Sequence, residues 1–163
     1  MSARGRPEPA AAARAPAPGR PLVLRGRPVV PGVTAGEALV SHETISGWGG
    51  IDPAGGVIIE PRHELYGVSF AGKILVFPGA KGSSGWSAFF QTTRLNGCAP
   101  LGMIFTRMST KVALGAVVTR VPAITALDQD PVEIIATGDW VHIDADNGLV
   151  TVKPGGRDDE ATS

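Results

Sequence analysis

Four consecutive apolar residues, Ile74, Leu75, Val76 and Phe77, are followed at once by Pro78 and Gly79. Successive side chains on a strand point to opposite faces, so a half-buried strand alternates apolar with polar residues. This run does not alternate. It predicts a strand covered on both faces, as in a parallel or layered arrangement. Proline and glycine end it, and the segment GAKGSSG follows. Trp86, Phe89, Phe90 and Thr93 then recur at helical spacing, with Arg94 off that apolar face and Gly97 as a natural stop. The succession of buried strand, glycine loop and helix constrains the fold more than any other stretch.

The remaining segments are short. PLVLRGRPVVPG reads as strands around Gly26, with prolines marking edges or turns. Gly32 to Val40 reads equally as a strand or as a short turn of helix. GWGGIDPAGG (47–56) is a turn-rich loop, and Val57 to Ile59 form a strand ending at Glu60 and Pro61. GMIFT after Pro100 is a second central strand. Thr110 to Val118 predicts a helix, with Val112, Ala113, Ala116 and Val117 on its apolar face and Gly115 weakening it. Ile124, Val132–Ala136 and Trp140–Ile143 read as strands. ADNG (145–148) is a hairpin turn before Leu149 to Val152, because Asn147 and Gly148 tolerate positive φ. The fold class is α/β, with a compact, barrel-like core of short strands and two short helices. The helices are too few and too short for a doubly wound fold. Residues 21–153 form the folded domain, between an Arg/Ala/Pro-rich tail at 1–20 and a C-terminal tail at 154–163, neither with enough apolar surface to order itself.

The chain has 15 basic and 15 acidic residues, which argues against nucleic acid as a partner. No apolar run is long enough to cross a bilayer, and the N-terminus has no apolar core of a secretory signal. With Cys98 alone, neither an internal disulfide nor an all-cysteine metal site can form. The three histidines have no metal-ligand spacing, so no metal site is expected on this chain. A reducing, cytoplasmic setting is the simplest reading.

FPGAKGSSGWSAFF carries the clearest chemistry. Free N–H groups at a helix start can bind a carboxylate or phosphate. Gly79, Gly82 and Gly85 permit close backbone approach, Ser83 and Ser84 can donate to an anion, and Lys81 adds positive charge. Either serine could instead cap the helix. The stretch is neither a P-loop nor a dinucleotide fingerprint nor a nucleophile elbow. No Ser-His-Asp set surrounds it, so activation of a serine depends on groups from another chain. Trp48 is a candidate interface anchor. Asp52, His63 and Arg94 are candidate partner or substrate contacts, against ordinary roles as turn former, surface histidine and surface cation. Arg107, like Arg94, is a candidate anion contact or partner salt bridge. Cys98 reads as a small buried residue.

GWGGIDPAGGVI (47–58), GVSFAGKILVFPGAKGSSGWSAFF (67–90), NGCAPLGMIF (96–105) and ALGAVVTRVPAI (113–124) together resemble the small subunit of aconitase X enzymes, over about residues 22–152. The resemblance implies a swivelling β/β/α domain. It implies a hydro-lyase assembled with a large subunit, whose cysteines hold an iron–sulfur cluster, and acting on a small hydroxy acid. It implies that Ser83 is the base taking the α-proton, and that Gly82, Ser84, Gly85 and Lys81 orient the substrate carboxylate. The family divides by substrate. Bacterial-type members dehydrate cis-3-hydroxy-L-proline to Δ1-pyrroline-2-carboxylate, and archaeal-type members dehydrate mevalonate 5-phosphate. The Arg/Ala/Pro-rich tail leans toward the first. A stand-alone binding or regulatory module is the alternative of another class. A phosphohistidine carrier is disfavoured, because residues 79–90 hold no histidine.

Overall fold

The computed structural model describes residues 20–156. The tail assignments for 1–19 and 157–163 lie outside them. Residues 154–156, read as tail, fold back on the domain, and Gly155 N–H donates to Asp139 Oδ1 at 3.2 Å.

One eight-stranded sheet organises the chain. Its strands are β1 (Leu22–Arg25), β2 (Arg27–Val30), β3 (Val33–Val40), β7 (Ile74–Phe77), β9 (Gly102–Phe105), β10 (Ala123–Thr125), β11 (Trp140–Asp144) and β12 (Leu149–Lys153). Their order is β1-β12-β11-β3-β7-β9-β10-β2. Strands β1 and β2 sit at opposite edges, yet only Gly26 separates them in sequence. The chain itself therefore bridges the two edges, and the sheet curls into a nearly closed barrel. Only glycine fits at this seam. A Cβ there would lie 2.5 Å from Leu127 Cδ2 and 2.6 Å from the Thr125 carbonyl oxygen.

Half of the barrel is antiparallel (β1, β12 and β11, with β2 antiparallel on β10 at the far edge) and half parallel (β3, β7, β9, β10). Ile74, Val76, Ile104, Ile124, Val141, Ile143 and Val150 fill the interior. Leu75, Phe77, Met103, Phe105 and Ala123 point outward from the parallel half into a second cluster. Helices α1 (Trp86–Leu95) and α2 (Thr110–Thr119) contribute Trp86, Phe90, Val112 and Ala116 to that cluster. The continuous burial of Ile74–Phe77 is thus satisfied from both sides.

Trp86 is the keystone of the outer layer. Its indole is fully buried, lies 4.3 Å from the Phe90 ring centroid, and donates through Nε1 to the Ile45 carbonyl at 2.8 Å. A Cβ on Gly115 would stand 2.2 Å from Trp86 Cζ3. Glycine's cost in the interior of α2 is therefore offset by the close approach of α2 to the indole.

One open reading is decided and two expectations change. Gly32–Val40 resolves as a strand that begins at Val33, after Gly32, and carries Gly36 buried within it. Val132–Ala136 is not a strand. Pro131–Ile134 forms a short helix, α3, so the helices among the described residues number three. Asp130 caps α3 by accepting from Val132 N–H at 3.0 Å, and Pro131 supplies the preset φ of a first helical residue. The apolar run is buried not by sheet pairing but by insertion of Val132 and Ile134 into the barrel interior. The 145–148 turn forms as read, but only Gly148 takes positive φ there.

Candidate active site

Strands β3, β7, β9 and β10 are mutually parallel, so their C-terminal ends share one rim. That rim is where open α/β sheets place ligands. The glycine-serine loop leaves β7 there, and the loop after β9 lies against it. Pro78 carbonyl accepts from Arg107 N–H at 2.8 Å and from Thr106 Oγ1 at 3.2 Å. Gly79 turns the chain at φ +156°, a geometry that L side chains avoid. Two-residue strand β8 (Ala80–Lys81) then pairs in parallel with β4 (Ile45–Ser46). Gly82 follows at φ +98°.

Ser83 and Ser84 are exposed on this rim. Neither hydroxyl caps helix α1. The capping residue is Gly85, without a side-chain bond. Ser83 Oγ instead accepts from the Gly85 N–H at 3.3 Å, immediately ahead of the helix. The loop thus presents two hydroxyls and a helix start free of acidic residues in its first turn.

Two lysines reach this loop. Lys81 Nζ lies 2.9 Å from Glu60 Oε2. Lys111, in the first turn of α2, donates to the Gly82 carbonyl. Among the described residues no carboxylate pairs with Lys111. Sequence reading missed both Glu60 and Lys111. Lys111 follows the Ser109–Thr110 helix start directly, but only the placement of β9 beside β7 brings that start to the serine loop.

The other candidates separate. His63 is 4% exposed rather than on the surface. Its Nδ1 accepts from Leu65 N–H at 3.0 Å, which leaves Nε2–H to donate to the Thr44 carbonyl at 3.2 Å. Arg94 turns toward α2 and donates through Nε to the Val118 carbonyl at 3.2 Å. Asp52 shapes its own turn, accepting from Ala54 N–H at 3.0 Å. It lies in strand β5 (Ile51–Asp52), which pairs with β6 (Val57–Ile58), so the loop read at 47–56 contains half a hairpin. Trp48 is 76% exposed and meets Phe89 edge-on at 5.8 Å. With Ile59, Asp52 and Pro53 they line an open groove of about 530 Å³. Gly47 joins this groove to the α1 start, since a Cβ there would stand 2.9 Å from Trp86 Cα.

Among the described residues no group of three or more His, Cys, Asp or Glu side chains could hold a metal ion. Cys98 is buried and donates to the Pro53 carbonyl at 3.2 Å. Burial, and secondarily the Asp52 charge, raise its pKa. This donor set does not fit an iron–sulfur cluster. No described helix is long and apolar enough to cross a membrane.

Residues 23–152 match the family model of the aconitase X swivel domain. The phosphomevalonate dehydratase small subunit of Methanocella arvoryzae is 40% identical over 129 residues, covering 79% of this chain and 98% of its own. That of Archaeoglobus fulgidus is 42% identical over 124 residues, covering 76% and 93%. A chain in the holo-form crystal structure of Thermococcus kodakaraensis aconitase X superposes with a TM-score of 0.76 at 37% identity, covering 80% of this chain and 98% of that one. Barrel and relatives agree: the chain belongs to the aconitase X family, as the swivel-domain small subunit of that family's dehydratases.

Proposed function

We propose that residues 79–85 are this chain's half of a dehydratase active site, with Ser83 as the base and mevalonate 5-phosphate as the substrate. The observation that carries the reading is the exposed Ser83 hydroxyl on the rim of the parallel strands, ahead of a helix start and flanked by Lys81 and Lys111. In this elimination the C2–H electron pair forms the C2–C3 double bond, the C3–O bond breaks, and the proton passes to Ser83 Oγ. A serine hydroxyl must first pass its own proton to an acceptor, which this reading places on the large subunit because no described residue accepts from Ser83 Oγ. The Gly85 N–H and the start of α1 favour the resulting alkoxide. Gly82, Ser84, Gly85 and Lys81 orient the substrate carboxylate. Help for the departing hydroxyl comes from the large subunit, where the family resemblance also puts the iron–sulfur cluster. The exposed Trp48–Phe89 groove, beside the same helix start, is the surface this reading assigns to that partner.

Two considerations favour mevalonate 5-phosphate over cis-3-hydroxy-L-proline. The relatives from Methanocella arvoryzae and Archaeoglobus fulgidus are named phosphomevalonate dehydratase small subunits. Two ammonium groups at the loop also suit a substrate carrying both phosphate and carboxylate better than a zwitterionic amino acid. The tail composition that leans toward hydroxyproline carries no contact chemistry. The test is to purify the chain with its large subunit and assay both substrates. The expected result is a higher kcat/KM on mevalonate 5-phosphate. Preference for cis-3-hydroxy-L-proline would reverse the substrate assignment. Full turnover by the small chain alone would overturn the shared site.

A further inference from the structure

We infer that Glu60 is a positioning residue for Lys81, and that the pair fixes one ammonium beside Ser83. The inference rests on the serine-loop reading above. Glu60 follows β6 on a backbone tied down on either side. Ile59 N–H donates to the Gly50 carbonyl at 2.8 Å, and Glu60 carbonyl accepts from the N–H of buried His63 at 3.1 Å. Its side chain is 25% exposed. One carboxylate oxygen, Oε2, lies 2.9 Å from Lys81 Nζ. The other, Oε1, is buried and has no hydrogen-bond partner, the sole such side-chain atom among the described residues.

A carboxylate in this setting is costly, because one oxygen has lost water and gained no donor. Within this chain its compensation is the Lys81 ammonium. The two charges are therefore coupled, and Lys81 is not a freely moving surface lysine. It ends β8, one residue before Gly82 and two before Ser83. An ammonium has three donors. Glu60 takes one, and the other two are available to the loop and to a substrate carboxylate. Glu60 acts on the substrate only through Lys81.

A double-mutant cycle on the assembled two-chain enzyme tests this, with kcat/KM, subunit association and thermal unfolding measured together. Lys81→Gln is expected to lower kcat/KM by about a hundredfold, as loss of a fixed charge at the reacting carboxylate does. Glu60→Gln is expected to lower it by about tenfold through misplacement of the ammonium. The double variant should fall no further than Lys81→Gln alone. Effects that multiply would overturn the inference, as would a Glu60→Gln enzyme that assembles and keeps its full kcat/KM. If Glu60→Gln does not assemble, Glu60→Asp, which keeps the charge on a shorter stem, should show a partial loss, and full activity there would contradict the role. Ser83→Ala run alongside separates the two claims. An active Ser83→Ala enzyme removes the serine-loop reading itself. An inactive one combined with a multiplicative cycle removes only the positioning role.

Discussion

Strand β3 belongs to both halves of the barrel, and its side chains change behaviour where it crosses between them. Val33 to Glu37 pair with antiparallel β11, and there Val33 and Glu37 are exposed. Ala38 to Val40 pair with parallel β7, and all three are buried. The same contrast runs through the sheet. On β11 and β12 buried and less buried residues alternate, whereas β7 and β9 are buried throughout. The antiparallel half has one dry face and tight turns. The parallel half needs crossover helices, which cover its outer face, and its strand ends open into the loops that carry the chemistry. The antiparallel half closes the barrel, and the parallel half builds the site.

The comparison is broken most severely at the helix layer. Trp86→Ala should destabilise the domain by about 3–5 kcal/mol, since it empties a fully buried site under α2. Chemical denaturation measures this, and a loss below about 1 kcal/mol would mean that the outer layer does not support the parallel half. Gly26→Ala strikes the seam between the halves. Its Cβ would press on a backbone carbonyl 2.6 Å away, and a cost of about 1–3 kcal/mol is expected. Asp144 sharpens the contrast at the antiparallel turn. The Asn147 side-chain amide, assisted by backbone N–H groups, holds its pKa below the ordinary carboxylate value. A depressed folded-state pKa stabilises above the unfolded pKa, and the benefit fades as pH falls through the folded value. The small stability gap between wild type and Asp144→Asn should therefore persist at neutral pH and close in acid; a gap that widens in acid would contradict the assignment. His142→Ala, on the exposed face of β11, should change stability by less than about 0.5 kcal/mol in the same unfolding measurement.

What the sequence makes legible follows the same division. Ile74–Phe77 announces two-sided cover because no polar residue interrupts it. The helix after the loop is visible in Trp86, Phe90 and Thr93, all of which are buried. The 145–148 turn is visible because its residues are local. Asp130-Pro131 was an equally local signal, but the apolar run after it also fits a strand, and periodicity alone does not separate the two over so few residues. The site was legible only as a loop. The Lys81–Glu60 contact joins residues 21 apart and Lys111–Gly82 joins residues 29 apart, and both depend on which strands lie side by side. His63 misleads in the same way. Arg62 and Glu64 flank it and suggest the surface, while the fold turns its ring inward to Thr44.

The central claim is that the rim of the parallel half is a catalytic surface completed by a second chain. The direct measurement is turnover of mevalonate 5-phosphate by the reconstituted two-subunit enzyme carrying Ser83→Ala. Because Ser83 is exposed and the one hydrogen bond of its side chain among the described residues is at 3.3 Å, the variant should fold and associate as wild type does. Its kcat should fall by at least about a hundredfold, the loss that follows removal of a positioned base. Wild-type turnover by that variant would contradict the central claim.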